Sequence, residues 1–173
     1  MAKHSKDDVK LFESRLRSHE YAGHIIQWVS IFESTLDITL AIYFVNPVST
    51  DKRDPTSVFL EQVLSKLSFA SKIDTLKNLQ FAKPLKSQEG ITTTLDKLRK
   101  LRNVLAHTHY LSDRDILKLR SDAWIFNFVI QYPSSIGKEK NALENRFNHL
   151  WNSCMRIHDK NMSADSVFIK RHY

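Results

Sequence analysis

"LRKLRNVLAHTHY", residues 98–110, decides how the chain is read. As a helix it extends an apolar series, Ile91, Leu95, Leu98, Leu101 and Leu105. Those three- and four-residue steps belong to an amphipathic segment packed against its neighbours. Counted from Leu98 at about 100° per residue, Arg102 falls at about 40°, inside the stripe, and His107 at about 180°, opposite it. A guanidinium among leucines, with a histidine at the helix end, calls for a chemical reason.

Outward from this helix the chain stays mainly α-helical. Residues 8–45 read as one long helix or two in tandem, with Gly23 as the candidate break and Ile25, Val29, Phe32, Leu36, Leu40 and Tyr43 at helical spacing. "NPVSTDKRDPTS" is a loop, and Asp54-Pro55 makes a helix start, a cap followed by proline in the first turn. "SVFLEQVLSK" and "SFASKIDTLKNLQ" resume the pattern as two short helices meeting near Ser68. "AKPLKSQEG" is the next loop, and the opening helix runs on to about His107. After Tyr110, "DILKLR" and "IFNFVIQY" read as a small β-hairpin around "SDAW", because Phe126, Phe128 and Ile130 alternate with Ile125, Asn127 and Val129. The stretch from Ile136 returns to helix with Leu143, Phe147, Leu150 and Cys154 or Met155 inward; pattern leaves the last ten residues undecided.

Two more charges sit inside apolar stripes. Glu33 lies at about 40° from Val29 on the first long helix, inside the apolar stripe and next to Leu40 at about 20°. Lys72 shares a face with Phe69, Leu76 and Leu79. A buried charge without a partner costs several kcal/mol, so the economical arrangement is convergence of Arg102, Glu33 and Lys72. Structural ion-pairing alone would also satisfy Glu33 and Lys72, and long cations can snorkel from a stripe's edge.

At 173 residues the chain fits one domain, and 42% hydrophobic with 26% charged residues describes a soluble globular protein. Net charge is +7, which favours a polyanionic partner, nucleic acid before an anionic membrane surface. Lys83–Arg120 holds nine Lys or Arg against four Asp or Glu. A lone cysteine, Cys154, excludes an internal disulfide framework. "MAKHSKDDVK" lacks the apolar core of a secretory signal, and no run is expected to reach the roughly 20 apolar residues of a membrane span, so the expectation is a cytoplasmic protein. His149, Cys154 and His158 share a helix, but only the last two have facing spacing and zinc takes three or four ligands, so no metal site is expected. Trp28, Trp124 and Trp151 read as core residues.

The segment "LRNVLAHT" resembles the signature of the HEPN superfamily. These are small helical domains marked by an arginine, usually followed by a polar residue, and a histidine after a gap of four to six residues. Arg102, Asn103 and His107 match it at the shortest spacing. "FESTLD" and "SFASKIDTL" are similar to segments of prokaryotic HEPN proteins of the abortive-infection kind. The resemblance covers about residues 20–110, and it implies a single HEPN-like domain over 1–173, with the hairpin and C-terminal helix at 111–160. It also implies a homodimer that sets two motif copies across a shared cleft.

Many members are metal-independent, cofactor-free endoribonucleases acting as toxins or antiviral defence effectors, some with an antitoxin. Carried onto this chain, the resemblance makes His107 a general acid or base and Arg102 the group that stabilises the phosphoryl oxygens during 2′-OH attack on RNA. Asn103 would orient the histidine or the phosphate, Glu33 would hold Arg102, and Lys72 would add positive charge. The alternative is a non-catalytic HEPN module for dimerisation or for nucleotide or RNA binding. Toxins of this kind controlled by a nucleotidyltransferase carry a tyrosine two residues after the histidine. Here that position is His109 and the tyrosine is Tyr110, which argues against such control.

Overall fold

Four helix starts are written in single side chains. Ser5, Ser68 and Ser112 each accept a hydrogen bond from the backbone N–H three residues on, at 3.0, 3.1 and 3.2 Å, and Asp122 accepts from Trp124 and Ile125. Each such cap is worth about 1 kcal/mol. In this computed structural model, which describes residues 5–45, 55–81, 84–107 and 112–171 (158–171 as backbone only), they open α1 (Lys6–Leu16), α4 (Phe69–Asn78), α6 (Asp113–Ser121) and α7 (Ala123–Ile130). The remaining helices are α2 (His19–Phe44), α3 (Pro55–Gln62), α5 (Lys86–Leu105) and α8 (Ser134–Arg171), with a 3₁₀ turn at Leu64–Lys66. The fold is mainly α, and the described residues contain no strand.

The expected β-hairpin is therefore replaced by α6 and α7. Alternation could not identify a strand in "IFNFVIQY" because the segment is apolar on both sides. Its buried residues, Ile125, Phe126, Phe128 and Val129, follow the steps of one helix face. The stronger signals were the caps: Ser112 also donates to Asp115 Oδ2 (2.6 Å), and Asp122 starts the next helix. The break near the N-terminus is likewise not at Gly23, which lies within α2, but at Arg17–Ser18. There the Ser18 hydroxyl accepts from the Tyr21 N–H at 3.3 Å. Pro55 does open α3, and Ser68 does separate two helical segments; Asp54 lies outside the described residues.

The chain divides into two compact units, Met1–Phe32 with Thr93–Leu143, and Glu33–Thr92 with Glu144–Tyr173. In the first, α1 packs on α6 and α7, with Phe12 stacked on Phe126 at 5.0 Å. Trp28 lies against Phe32 and Phe128 and is buried, while Trp124 stacks on Phe128 and stays partly exposed. The last turn of α7 leaves carbonyls without helical partners; Arg15 reaches that of Val129 (2.6 Å) and Ser135 that of Phe128 (2.7 Å).

In the second unit Gln88 does the same for α4, donating to the carbonyls of Leu76 (2.7 Å) and Leu79 (2.9 Å). The Trp151 indole, partly exposed, donates to Thr39 at 2.6 Å. On α8 Leu143, Phe147, Leu150 and Cys154 are buried, whereas Met155 is exposed, which settles the inward residue as Cys154. One further correction concerns α2: by length and composition it is apolar enough to cross a membrane, and 44% of the window that qualifies is buried within the protein.

Candidate functional site

The apolar stripe of α5 is buried as its spacing requires, with Leu95, Leu98 and Leu101 fully inaccessible and Leu105 1% exposed. Arg102 sits among them in the last turn, partly buried, where a cation also faces the negative end of the helix dipole. Asn103, the next residue round, is exposed.

The helix stops at Leu105. The Ala106 N–H still bonds back to the Arg102 carbonyl (2.8 Å), but the His107 N–H bonds to Val104 (3.1 Å), a tighter turn. His107 is thus an exposed residue in the turn beyond α5, and the wide angular separation that a continuous helix would impose between it and Arg102 does not apply. His109 and Tyr110 lie outside the described residues.

Asn103 borders a groove of about 630 Å³ between α5, α6 and the start of α7. Buried Leu119 and Ile125 contribute to its floor. Three cations line it: Arg99, Lys100 and Lys118. Arg99 donates twice to Asp96 Oδ1, at 3.2 and 2.7 Å, and Lys100 reaches Asp96 Oδ2 at 2.8 Å. Burial by itself would raise the Asp96 carboxyl, but the hydrogen bonds from Lys100 and Arg99 outweigh it and hold this group below its ordinary range. Asp115, also on the groove, is held low first by the Ser112 hydroxyl.

Glu33 and Lys72 are brought together in the second unit. The Lys72 ammonium, on a side chain only 6% exposed, lies 3.2 Å from Glu33 Oε1 and 2.8 Å from Asp37 Oδ2. Asp37 is a member of this cluster that the stripe positions did not single out. Its signal was its place one turn after Glu33 on the same helix face.

Among the described residues no group of three or more His, Cys, Asp or Glu is placed to hold a metal ion. Cys154 is buried, and burial pushes its thiol up to about 11, which suits a packing role rather than a ligand or nucleophile. No protein-family model, no curated protein and no solved structure matches this chain.

Proposed function

We propose that the chain is a HEPN-type, metal-independent endoribonuclease that works as a homodimer in a toxic or defensive role. The observation carrying this reading is the end of α5. An arginine stands in the last turn, an exposed amide follows it, and an exposed histidine lies two residues past the helix terminus. A groove lined by Arg99, Lys100 and Lys118 together with Asp115 and Asp122 borders the amide, and the chain as a whole carries a charge of +7.

The chemistry asks little of the protein. The 2′-oxygen of a ribose attacks the adjacent phosphorus and gives its proton to His107. The P–O5′ bond breaks, the departing oxygen takes a proton from the His107 of a second copy, and a 2′,3′-cyclic phosphate remains. Arg102 offers a planar fork of donors to the non-bridging oxygens as their charge grows, and Asn103 orients the phosphate. Binding of RNA without cleavage is the alternative, and the groove alone would support it.

Incubation of the purified full chain with total cellular RNA, with and without EDTA, tests the reading. Fragments ending in 2′,3′-cyclic phosphate and unaffected by EDTA are expected. Intact RNA in both arms, or cleavage abolished by EDTA, overturns it.

A further inference from the structure

We infer that the groove between α5 and α6 is a subsite for single-stranded RNA, in which Lys118 anchors a backbone phosphate next to the one held at Asn103. This rests on the RNA-directed reading of the α5 terminus, and it adds a positioning residue on a different helix.

The groove joins two kinds of surface that a single strand needs. Partly exposed Val104, with the edges of Leu119 and Ile125, gives the groove an apolar lining against which a ribose or base can lie. Arg99, Lys100 and Lys118 supply cations on the same lining, beside Asp115 and Asp122. A duplex hides its bases, whereas an open strand can place them on such a lining.

The acidic groups around the groove are already committed. Asp96 is shared between Arg99 and Lys100 and holds both in place. Asp122 is the N-cap of α7, its Oδ1 taken by the Trp124 and Ile125 amides. Asp115, in the first turn of α6, accepts from the Ser112 hydroxyl and backbone. Both of these carboxylates face the positive end of a helix dipole, which offsets part of their charge. Lys118 differs: it is exposed, lines the groove, and forms no ion pair among the described residues. Its charge is felt by Asp115, three residues before it on α6, but no described carboxylate holds it directly, so its ammonium can turn to a phosphate.

Spacing agrees. Arg99 and Asn103 line the groove four residues apart, so they are separated along the helix axis by about 6 Å. That is comparable with the step between successive phosphates of an extended strand. A strand lying along α5 would therefore present one phosphate to Asn103 and the next to Arg99 and Lys118.

The test uses the full-length protein and a short fluorescent single-stranded RNA carrying 2′-O-methyl groups, which cannot be cut by 2′-OH attack. Anisotropy titrations at several salt concentrations compare Lys118→Ala with Lys138→Ala, a lysine on α8 away from the groove lining. Lys118→Ala is expected to weaken binding about tenfold at low salt and to reduce the salt slope by about 0.7, the loss of one single-strand phosphate contact. Lys138→Ala should leave both within twofold of the parent. On cleavable RNA, Lys118→Ala should raise KM with kcat nearly unchanged.

Equal effects of the two substitutions, an unchanged slope, or no RNA binding at all overturns the subsite. If Lys118→Ala weakens binding but the parent protein cuts nothing, the nuclease reading fails and the subsite stands. If the parent cuts RNA and Lys118→Ala is silent, the subsite fails and the nuclease reading stands.

Discussion

The ammonium of Lys72 lies 2.8 Å from Asp37 Oδ2, with Glu33 Oε1 on its other side at 3.2 Å. The lysine is almost wholly buried, while the carboxylates are 21% and 23% exposed. One cation thus serves two anions in a partly dry site, and the cluster carries a net negative charge.

Removing that cation should be costly. Lys72→Met leaves Asp37 without its partner and should lower stability by about 3 kcal/mol, the lower end of the range for breaking a buried pair, because water still reaches the carboxylates. Adding Glu33→Gln and Asp37→Asn to the same protein should recover part of the loss. Urea denaturation of the three proteins checks this. A loss below about 1 kcal/mol for Lys72→Met would show that solvent already compensates the carboxylates.

The same cluster sets a pH dependence. Burial raises the Asp37 carboxyl above its ordinary range; Lys72 opposes the shift and the nearby Glu33 adds to it. A group whose folded pKa lies above its unfolded one stabilises the protein below the unfolded pKa, and that contribution is lost as pH rises through the folded pKa. The stability of the parent relative to Asp37→Asn should therefore improve as pH falls from neutrality into the carboxylate range. Asp96 runs the other way: its contribution is present above the unfolded pKa and is lost as pH falls through the depressed folded value. Thermal melts of the parent, Asp37→Asn and Asp96→Asn across the range from about pH 3 to neutrality should give relative slopes of opposite sign. Matching signs would refute the assignment.

Patterns with a single structural meaning are legible from residues alone. The stripe from Ile91 to Leu105 has only a helical solution, and each of its leucines is buried. The charges inside stripes point correctly to Lys72 as a buried group with Glu33 beside it. The segment 113–130 misleads because an alternating pattern in a stretch apolar on both faces satisfies strand and helix alike, while the deciding information lies in Ser112 and Asp122. Gly23 looks like a break, although a glycine interrupts a helix only weakly and the chain turns at Arg17–Ser18. The groove by Asn103 was not legible, since it depends on α6 and α7 being helices.

Tyr21 offers a test of packing in the first unit. Its ring is edge-on to Tyr132 at 4.9 Å and is 2% exposed, but its hydroxyl has no hydrogen-bond partner among the described residues. Burial raises its pKa, so the phenol stays neutral. Tyr21→Phe removes an unsatisfied polar atom and keeps the ring, and should gain about 1 kcal/mol. A loss of similar size in chemical denaturation would mean that the hydroxyl is hydrogen-bonded in solution.

The sharpest functional prediction separates His107 from Arg102. His107 is exposed in a turn and is not part of the buried stripe, so His107→Ala should fold with unchanged stability and lose cleavage by about 10² to 10⁴-fold, the usual contribution of general acid–base catalysis. Arg102 is partly buried in the last turn of α5, so Arg102→Ala should lose cleavage and some stability together. Arg102→Lys restores the charge without the planar fork and should restore stability more than activity. Both histidine and arginine variants should still bind single-stranded RNA in the anisotropy assay, because the groove cations remain. Circular dichroism, denaturation and cleavage assays on the same preparations distinguish the cases. Full cleavage by His107→Ala would remove the histidine from the mechanism, and equal stability losses in His107→Ala and Arg102→Ala would refute the placement of His107 outside the packed stripe.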